Sequence, residues 1–330
     1  CACFAGSTRQ RASATKGRDY TKELNVPYLR PALQYVRSFK FNVRKSMSFY
    51  LLGLSILLVF VPYRFSFSRV PLWCMSFFVT VICAFYEGVL DVQGVAILAT
   101  YCLLLYGAIH LRKDLLRKLC VVVFGVVSLA LAMHLLPGFY NLLIVQPHNI
   151  TDDAVPFKLY ANFDKGLVGL FLLGYIFRGQ INRNYYQKRP NVKLIGAIFC
   201  VTPILVFACA FLLGLIQFDL KWPSFWLYFL GTNLLFTCVA EEAFFRGYLQ
   251  QGLSSWLHEK PYLFIVPFIS GVIFGVAHLG GGAGYVLTAS LAGVGYALLY
   301  HKTHRIELSI LCHFLLNVLH LFLFTYPMLA

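Results

Sequence analysis

The stretch WPSFWLYFLGTNLLFTCVA (222–240), followed directly by EEAFFRG (241–247), joins a membrane-like apolar run to a sudden cluster of charge. A bilayer core about 30 Å thick needs roughly 20 apolar residues of helix, so the run predicts a transmembrane helix. Two carboxylates and an arginine at the end of such a helix are costly unless they face a partner or a cavity. The stretch therefore predicts a membrane-embedded fold with a polar site inside it.

The composition of the whole chain extends this prediction. Of the 330 residues, 59% are hydrophobic and 12% are charged, and the mean hydropathy is +0.71. We predict an all-α, polytopic transmembrane bundle of about 8–10 helices. Two of its segments, 71–86 and 162–177, are short enough to be re-entrant or interfacial. The candidate segments are 48–63, 71–86, 92–111, 119–137, 162–177, 193–215, 222–245, 262–279, 283–300 and 306–327.

The formal charge of +15 comes mainly from the N-terminal tail and the loops. Residues 1–47 and the connections 112–118 and 178–193 are basic, which predicts by the positive-inside rule that they face the cytoplasm, in a bacterial inner membrane. This distribution predicts no nucleic-acid partner. Three spans between the tail and 112–118 would put the two on opposite sides. We therefore expect that one of the first three segments does not fully cross.

Ionisable side chains divide the chain into three predicted parts. A basic cytoplasmic tail (1–47) precedes accessory transmembrane helices (48–189) with few ionisable groups, and the part with buried charge, 190–330, is the predicted catalytic domain. Within the accessory part, Asp164 and Lys165 stand at the mouth of a span, where we expect an internal ion pair or a topological anchor.

Helical spacing separates the two glutamates of EEAFFRG. Glu242 and Arg246 are four residues apart, so they share a face and are predicted to pair. Glu241 is rotated by about 100° and cannot use the same arginine, which leaves it as the carboxylate available for chemistry. A second four-residue spacing joins Phe274 to His278, just before the glycine-rich segment LGGGAG (279–284).

A third spacing of the same kind, His313 to Asn317, lies in the last apolar segment. Glu241 and His278 are equally far from a turn near 257–261, which predicts that they share one depth. His313 is closer to the turn before its own helix, so it reaches that depth only if the 246–261 hairpin projects farther or the helices tilt. A glutamate and an imidazole can activate water, and a second imidazole with an amide can stabilise an oxyanion.

The three motifs, EExxxR, FxxxH and HxxxN, in this order on separate apolar segments, resemble the CPBP family of CAAX proteases and bacteriocin-processing enzymes. The resemblance covers about 190–330, and every motif residue is intact. It implies an intramembrane glutamic endopeptidase in which Glu241 and His278 activate water. It further implies that His313 and Asn317 stabilise the oxyanion. The remaining motif residues would support these four: Glu242, Arg246 and Phe274.

A zinc-dependent version of the same protease is the alternative mechanism. Glu241, His278 and His313 also make up a three-ligand catalytic set with an open position. We favour the metal-free mechanism, and thus expect no cofactor, because Asn317 and the paired Glu242 suit oxyanion and scaffold roles better than the outer shell of a metal site.

Two other classes of function compete with proteolysis. A non-cleaving immunity or scaffold protein could hold a peptide or lipid-modified chain in the same cavity. A transporter or proton relay could also use buried Glu and His, but it predicts a second copy of the polar set, and residues 48–190 contain none. The expected partners are the bilayer and a protein or peptide substrate at the membrane; the sequence specifies neither that substrate nor an oligomeric state.

Overall fold

The structure, a computed structural model, describes residues 47–61, 70–180, 191–257 and 261–330. Outside the described residues lie residues 1–46 of the predicted basic tail 1–47, the last two residues of the predicted segment 48–63, the central part of the second basic connection (181–190) and the turn residues 258–260.

The described chain is a helical bundle with one β-hairpin. Its helices are α1 (Met47–Leu58), α2 (Leu72–Tyr86), α3 (Val92–His110), α4 (Asp114–Ala132), α5 (Phe163–Gln180), α6 (Val192–Leu212), α7 (226–256), α8 (Val266–Val276), α9 (Gly282–Thr303) and α10 (Ile306–Leu323). The two strands are β1 (Leu142–His148) and β2 (Phe157–Ala161).

The prediction of a polytopic, mainly α-helical bundle is confirmed. Among the described residues, five helices are long and apolar enough to cross a membrane: Val92–His110, Asp114–Ala132, Val192–Leu212, Leu279–Thr303 and Ile306–Leu323. Large apolar side chains such as Ile204 (65% exposed) and Leu212 (84% exposed) point outward from α6. An apolar outer surface of this kind suits contact with lipid.

The strands β1 and β2 form an antiparallel hairpin that the all-α prediction did not include. Their pairing is irregular, with register shifts between Leu143 and Val145 and between Val145 and His148. In β2, buried and half-buried residues alternate, as expected for a strand with one face on the core. The hairpin leads directly into α5.

Helix α5 lies in the interior of the bundle, and residues 161–173 are all buried. The expectation that 162–177 is re-entrant or interfacial stays a prediction. Hydropathy treats Asp164 and Lys165 as groups that need solvent, whereas each has a partner inside the protein. A glycine at 169 permits close contact with α7, since a Cβ there would lie 3.0 Å from Val239 Cγ1.

The ends of several helices follow from local side-chain chemistry. Asp91 caps α3 by accepting hydrogen bonds from the backbone N–H groups of Gln93 and Gly94. Asn191 caps α6 through the N–H of Leu194. Gly138 has φ +87° and approaches the start of α3 so closely that a Cβ would lie 2.1 Å from the backbone N of Gly94.

The first helices alternate in direction. The backbone N–H and hydroxyl of Ser48 both donate to Glu87 Oε2, at 3.2 Å and 2.6 Å, so the start of α1 lies beside the turn between α2 and α3. Met47 and the connection before Asp114 thus lie at opposite ends of the bundle. Helices α1 and α2, with 12 and 15 residues, are shorter than the roughly 20 residues of a full crossing. The expected incomplete crossing stays a prediction.

Candidate functional site

Helix α7 carries Glu241 and Glu242 on a short α-helical turn between two π-helical segments, and AFFRG (243–247) lies in the second of these segments. Asn233–Cys238 precedes this turn, Val239–Glu242, and Ala243–Gln250 follows it. In the first π-helical segment, the Cys238 thiol donates to Asn233 Oδ1 at 3.3 Å, a contact between residues five apart. Such π-bulges are rare and are frequent at functional sites.

Glu242 lies at the centre of a fully buried ionic cluster. Its Oε2 lies 3.0 Å from Arg246 Nε as an ion contact, and neither side chain is exposed. Its Oε1 lies 2.8 Å from His313 Nδ1. Arg246 also donates through Nη2 to the carbonyl of Gly293 at 2.7 Å. The predicted pairing of Glu242 with Arg246 is thus present, and it extends to a histidine of α10.

Aromatic rings enclose this cluster. The guanidinium carbon of Arg246 lies 4.7 Å from the ring centroid of Phe274 and 5.5 Å from that of Tyr296. Tyr296 also stacks on His313, with centroids 4.8 Å apart and an interplanar angle of 13°. Because these rings exclude water and attract the cation, Phe274 supports Arg246 by a cation–π contact.

Glu241 has a cationic partner, which corrects the prediction that it is unpaired. Its Oε1 lies 2.7 Å from Lys165 Nζ on helix α5, and the two side chains are only 11% and 10% exposed. Its Oε2 is buried without a hydrogen-bond partner in the described part of the chain and lies 3.8 Å from His313 Nε2. The prediction considered only cations on the same helix, whereas this one comes from a different helix.

His278 follows the end of α8, beside the other site residues. Its Nδ1 lies 2.7 Å from the carbonyl oxygen of Phe274, and the two rings are 4.7 Å apart. Phe274 also meets His313, with centroids 5.6 Å apart, so it contacts both imidazoles. The glycine-rich segment then turns the chain sharply, with Gly282 at φ +86°.

His313 lies at the depth of Glu241. The residue counts from the turns predicted this only if the 246–261 hairpin projects farther or the helices tilt. Gly247 lies against Ile306, whose Cδ1 would be 3.2 Å from a Cβ at 247. Helix α7 continues from there to Trp256, about 14 Å farther at 1.5 Å per residue. The end of α7 therefore projects beyond the start of α10, as the depth argument required.

Asn317 lies one turn beyond His313 on α10. Its side-chain amide donates to Asn233 Oδ1 at 3.2 Å and approaches Cys238 Sγ at 3.6 Å. The sequence analysis did not select Asn233. A buried amide in an otherwise lipid-like run was the signal that could have identified it.

Asp164 and Lys165 do not form the expected side-chain ion pair with each other. Asp164 Oδ2 lies 2.7 Å from His134 Nδ1, and its Oδ1 accepts a hydrogen bond from the backbone N–H of Lys165, at 2.8 Å. The ammonium of Lys165 instead reaches Glu241. Adjacent residues on a helix point about 100° apart, which explains why the two side chains have different partners.

A cavity of about 60 Å³ adjoins the site, with His313, Asn317 and Phe274 in its wall. The rest of its lining is mainly apolar and comes from α6, α9, α10 and the segment after α10. One water needs about 10–15 Å³ of such space, so the cavity has room for several. The cavity can therefore admit water beside His313 and Asn317.

The alternative zinc set fits this arrangement poorly. The ammonium of Lys165 occupies Glu241 Oε1. In the ranges that the structure describes, no group of three or more His, Cys, Asp or Glu side chains is arranged to hold a metal ion. A dication at Glu241 would have to displace a buried cation.

Comparison with known protein families gives a match to part of the chain. Residues 222–319 match the family described as type II CAAX prenyl endopeptidase Rce1-like. We refer to this matched segment as the Rce1-like domain. The match confirms the family resemblance that the three motifs carry, and it supports an intramembrane endopeptidase activity of the CAAX type. Searches of curated proteins and of solved structures gave no match to the chain.

The Rce1-like domain includes α7 to α9 and most of α10, and thus every predicted catalytic residue. Helix α5, which carries Lys165, lies outside it. The hydrophobic core nevertheless runs across this boundary, since Phe163 and Leu167 of α5 share one buried cluster with Val239 and Ala243 of α7.

Proposed function

We propose that this protein is a glutamate-dependent intramembrane endopeptidase. The observation that carries the proposal is the state of Glu241. One of its carboxylate oxygens is held by Lys165, while the other is buried near His313 without a hydrogen bond in the described chain. A separation of 3.8 Å between Glu241 Oε2 and His313 Nε2 is too long for a direct hydrogen bond and suits a bridging water.

The hydrogen bond of His278 supports its role beside Glu241. A carbonyl oxygen only accepts, so the Nδ1 that faces the Phe274 carbonyl carries a proton. In the neutral ring, Nε2 then carries the lone pair and can accept a proton from water. Glu241 or His278 would take one proton of the water, and the hydroxide would add to the peptide carbonyl.

His313 and Asn317 would stabilise the resulting oxyanion. Because His313 Nδ1 faces a carboxylate, its Nε2 donates to an oxyanion only when the ring is protonated, and Glu242 is placed to balance that charge. The tetrahedral intermediate then collapses as the C–N bond breaks. The leaving amine takes the proton held by Glu241 or His278, which restores the site.

The proposed substrate is a membrane-associated or lipid-modified protein, and the basic connections are proposed to face the cytoplasm. The name of the matched family supports a CAAX-type substrate. We would test this with a prenylated CAAX peptide and the same peptide without its prenyl group. Cleavage of the prenylated peptide is expected. No cleavage of either would contradict the CAAX substrate.

The metal-free mechanism has its own test. Purified protein should keep its activity after exhaustive chelation and carry no stoichiometric metal by elemental analysis. Loss of activity on chelation with rescue by zinc would contradict the mechanism and favour Glu241, His278 and His313 as ligands.

A further inference from the structure

Lys165 belongs to the candidate site but lies outside the Rce1-like domain. It lies on α5, 57 residues before the match begins at residue 222 (222 − 165 = 57), yet its Nζ is 2.7 Å from Glu241 Oε1. Both side chains are nearly inaccessible. Water cannot reach either charge at this depth, so each charge is stabilised by its partner and not by hydration.

Charge balance explains why the site needs this lysine. Glu241 and Glu242 place two carboxylates side by side in a low-dielectric interior. Arg246 is committed to Glu242, at 3.0 Å, and to the carbonyl of Gly293. The three motifs thus supply only one permanent cation for two carboxylates, and an uncompensated buried charge is strongly unfavourable. Lys165 supplies the second cation.

The fold holds Lys165 rigidly in this place. The first half of α5 is buried, and Asp164 accepts the backbone N–H of Lys165 while facing His134. Gly166 permits close packing against α7, since a Cβ there would meet the ring of Phe236 at 2.8 Å. The backbone that carries the lysine is therefore fixed by contacts independent of the ion pair itself.

We propose that Lys165 is a positioning residue for the catalytic glutamate, so that the accessory helices complete the active site. The ammonium holds Glu241 Oε1 and thereby turns Oε2 toward His313, where the attacking water would be activated. This inference rests on the proposed function, in which Glu241 is the base. It assigns to the accessory region a direct part in the geometry of the reaction.

The test combines kinetics with stability in the full-length protein in detergent or proteoliposomes. Lys165→Met should lower kcat by about 100-fold with little change in KM, because a misplaced base slows chemistry without altering substrate binding. Lys165→Arg, which keeps the charge, should recover part of kcat. The matched control is Lys118→Met, which breaks an exposed pair with Asp114 and should leave both constants unchanged.

A double-mutant comparison separates this inference from the proposed function. Lys165→Met should lower the unfolding temperature because it leaves Glu241 charged and alone. Adding Glu241→Gln should recover most of that loss. The inference is overturned if the losses in unfolding temperature of the two single variants simply add in the double variant. It is also overturned if Lys165→Met keeps the wild-type kcat. If wild type cleaves no substrate but the recovery is observed, the ion pair stands and the proposed function fails.

Discussion

Glu241 and Glu242 are neighbours on one helix, but their cations come from different regions of the molecule. Glu242 forms an ion pair with Arg246, one turn farther along α7. Glu241 forms an ion pair with Lys165, which lies 76 residues earlier, on α5. The first pair is fixed by helical spacing alone, whereas the second exists only while α5 and α7 stay in register. The structural carboxylate is thus held locally, and the proposed catalytic one depends on tertiary packing.

The largest expected effect on stability comes from the local pair. Arg246→Met should destabilise the protein by about 3–5 kcal/mol, because it leaves the Glu242 carboxylate buried without its cation. Thermal unfolding in detergent measures this loss. The double variant Arg246→Met with Glu242→Gln should recover much of it. A single variant as stable as wild type would show that the pair contributes little.

A smaller effect should follow from disturbing the contact between α5 and α7. Gly169→Val adds a side chain where a Cβ already lies 3.0 Å from Val239 Cγ1 and 3.3 Å from the backbone N of Ala240. Overpacking of this kind costs about 1–3 kcal/mol, and it should displace Lys165 from Glu241. Activity should fall more than that of a variant that is equally destabilised elsewhere.

The matched control for this prediction is Gly252→Val, on α7, where a Cβ would meet nothing within 4 Å. It should be close to wild type in stability and in activity. If both glycine variants lose activity equally, the dependence of Glu241 on the register of α5 is wrong.

The smallest expected effect on stability comes from Asp219, a carboxylate outside the membrane-spanning segments. The hydroxyl of Thr151 donates to Asp219 Oδ2 at 2.6 Å, and Lys221 Nζ lies 2.9 Å from the same atom; these contacts hold the pKa of Asp219 below its usual value. Lys221 also donates to the carbonyl of Phe324. Since the group is partly exposed, the contribution should be below about 1 kcal/mol.

The pH dependence of this contribution has a definite sign. A folded-state pKa lower than the unfolded one means that the stabilisation is complete above the unfolded pKa, about 4, and disappears as the pH falls through the folded pKa. Asp219→Asn should therefore be slightly less stable than wild type at pH 7, with the gap closing below pH about 4. A gap that widens on acidification would contradict the assignment.

The sequence predicted the helices and the local part of the site, because both depend on short spacings. Four-residue intervals related Glu242 to Arg246, and apolar runs located the helices to within a few residues, except that α4 begins at Asp114 and α7 extends to Trp256. The pairing of Lys165 with Glu241 was not predicted, and Asn233 was not selected, because their partners are distant in sequence. A hydropathy pattern reports that a polar group is buried, but it does not identify the group it contacts.

The central claim is tested most directly by comparing membrane fractions from cells that carry wild type, Glu241→Gln or Glu87→Gln. Glu87 accepts hydrogen bonds from Ser48 and is not one of the predicted site residues, so its variant controls for loss of a carboxylate. Quantitative proteomics of protein termini, with the three proteins inserted at equal levels, should reveal a precursor that stays uncleaved only with Glu241→Gln. If the same termini appear with all three proteins, the account of a glutamate-dependent protease is contradicted.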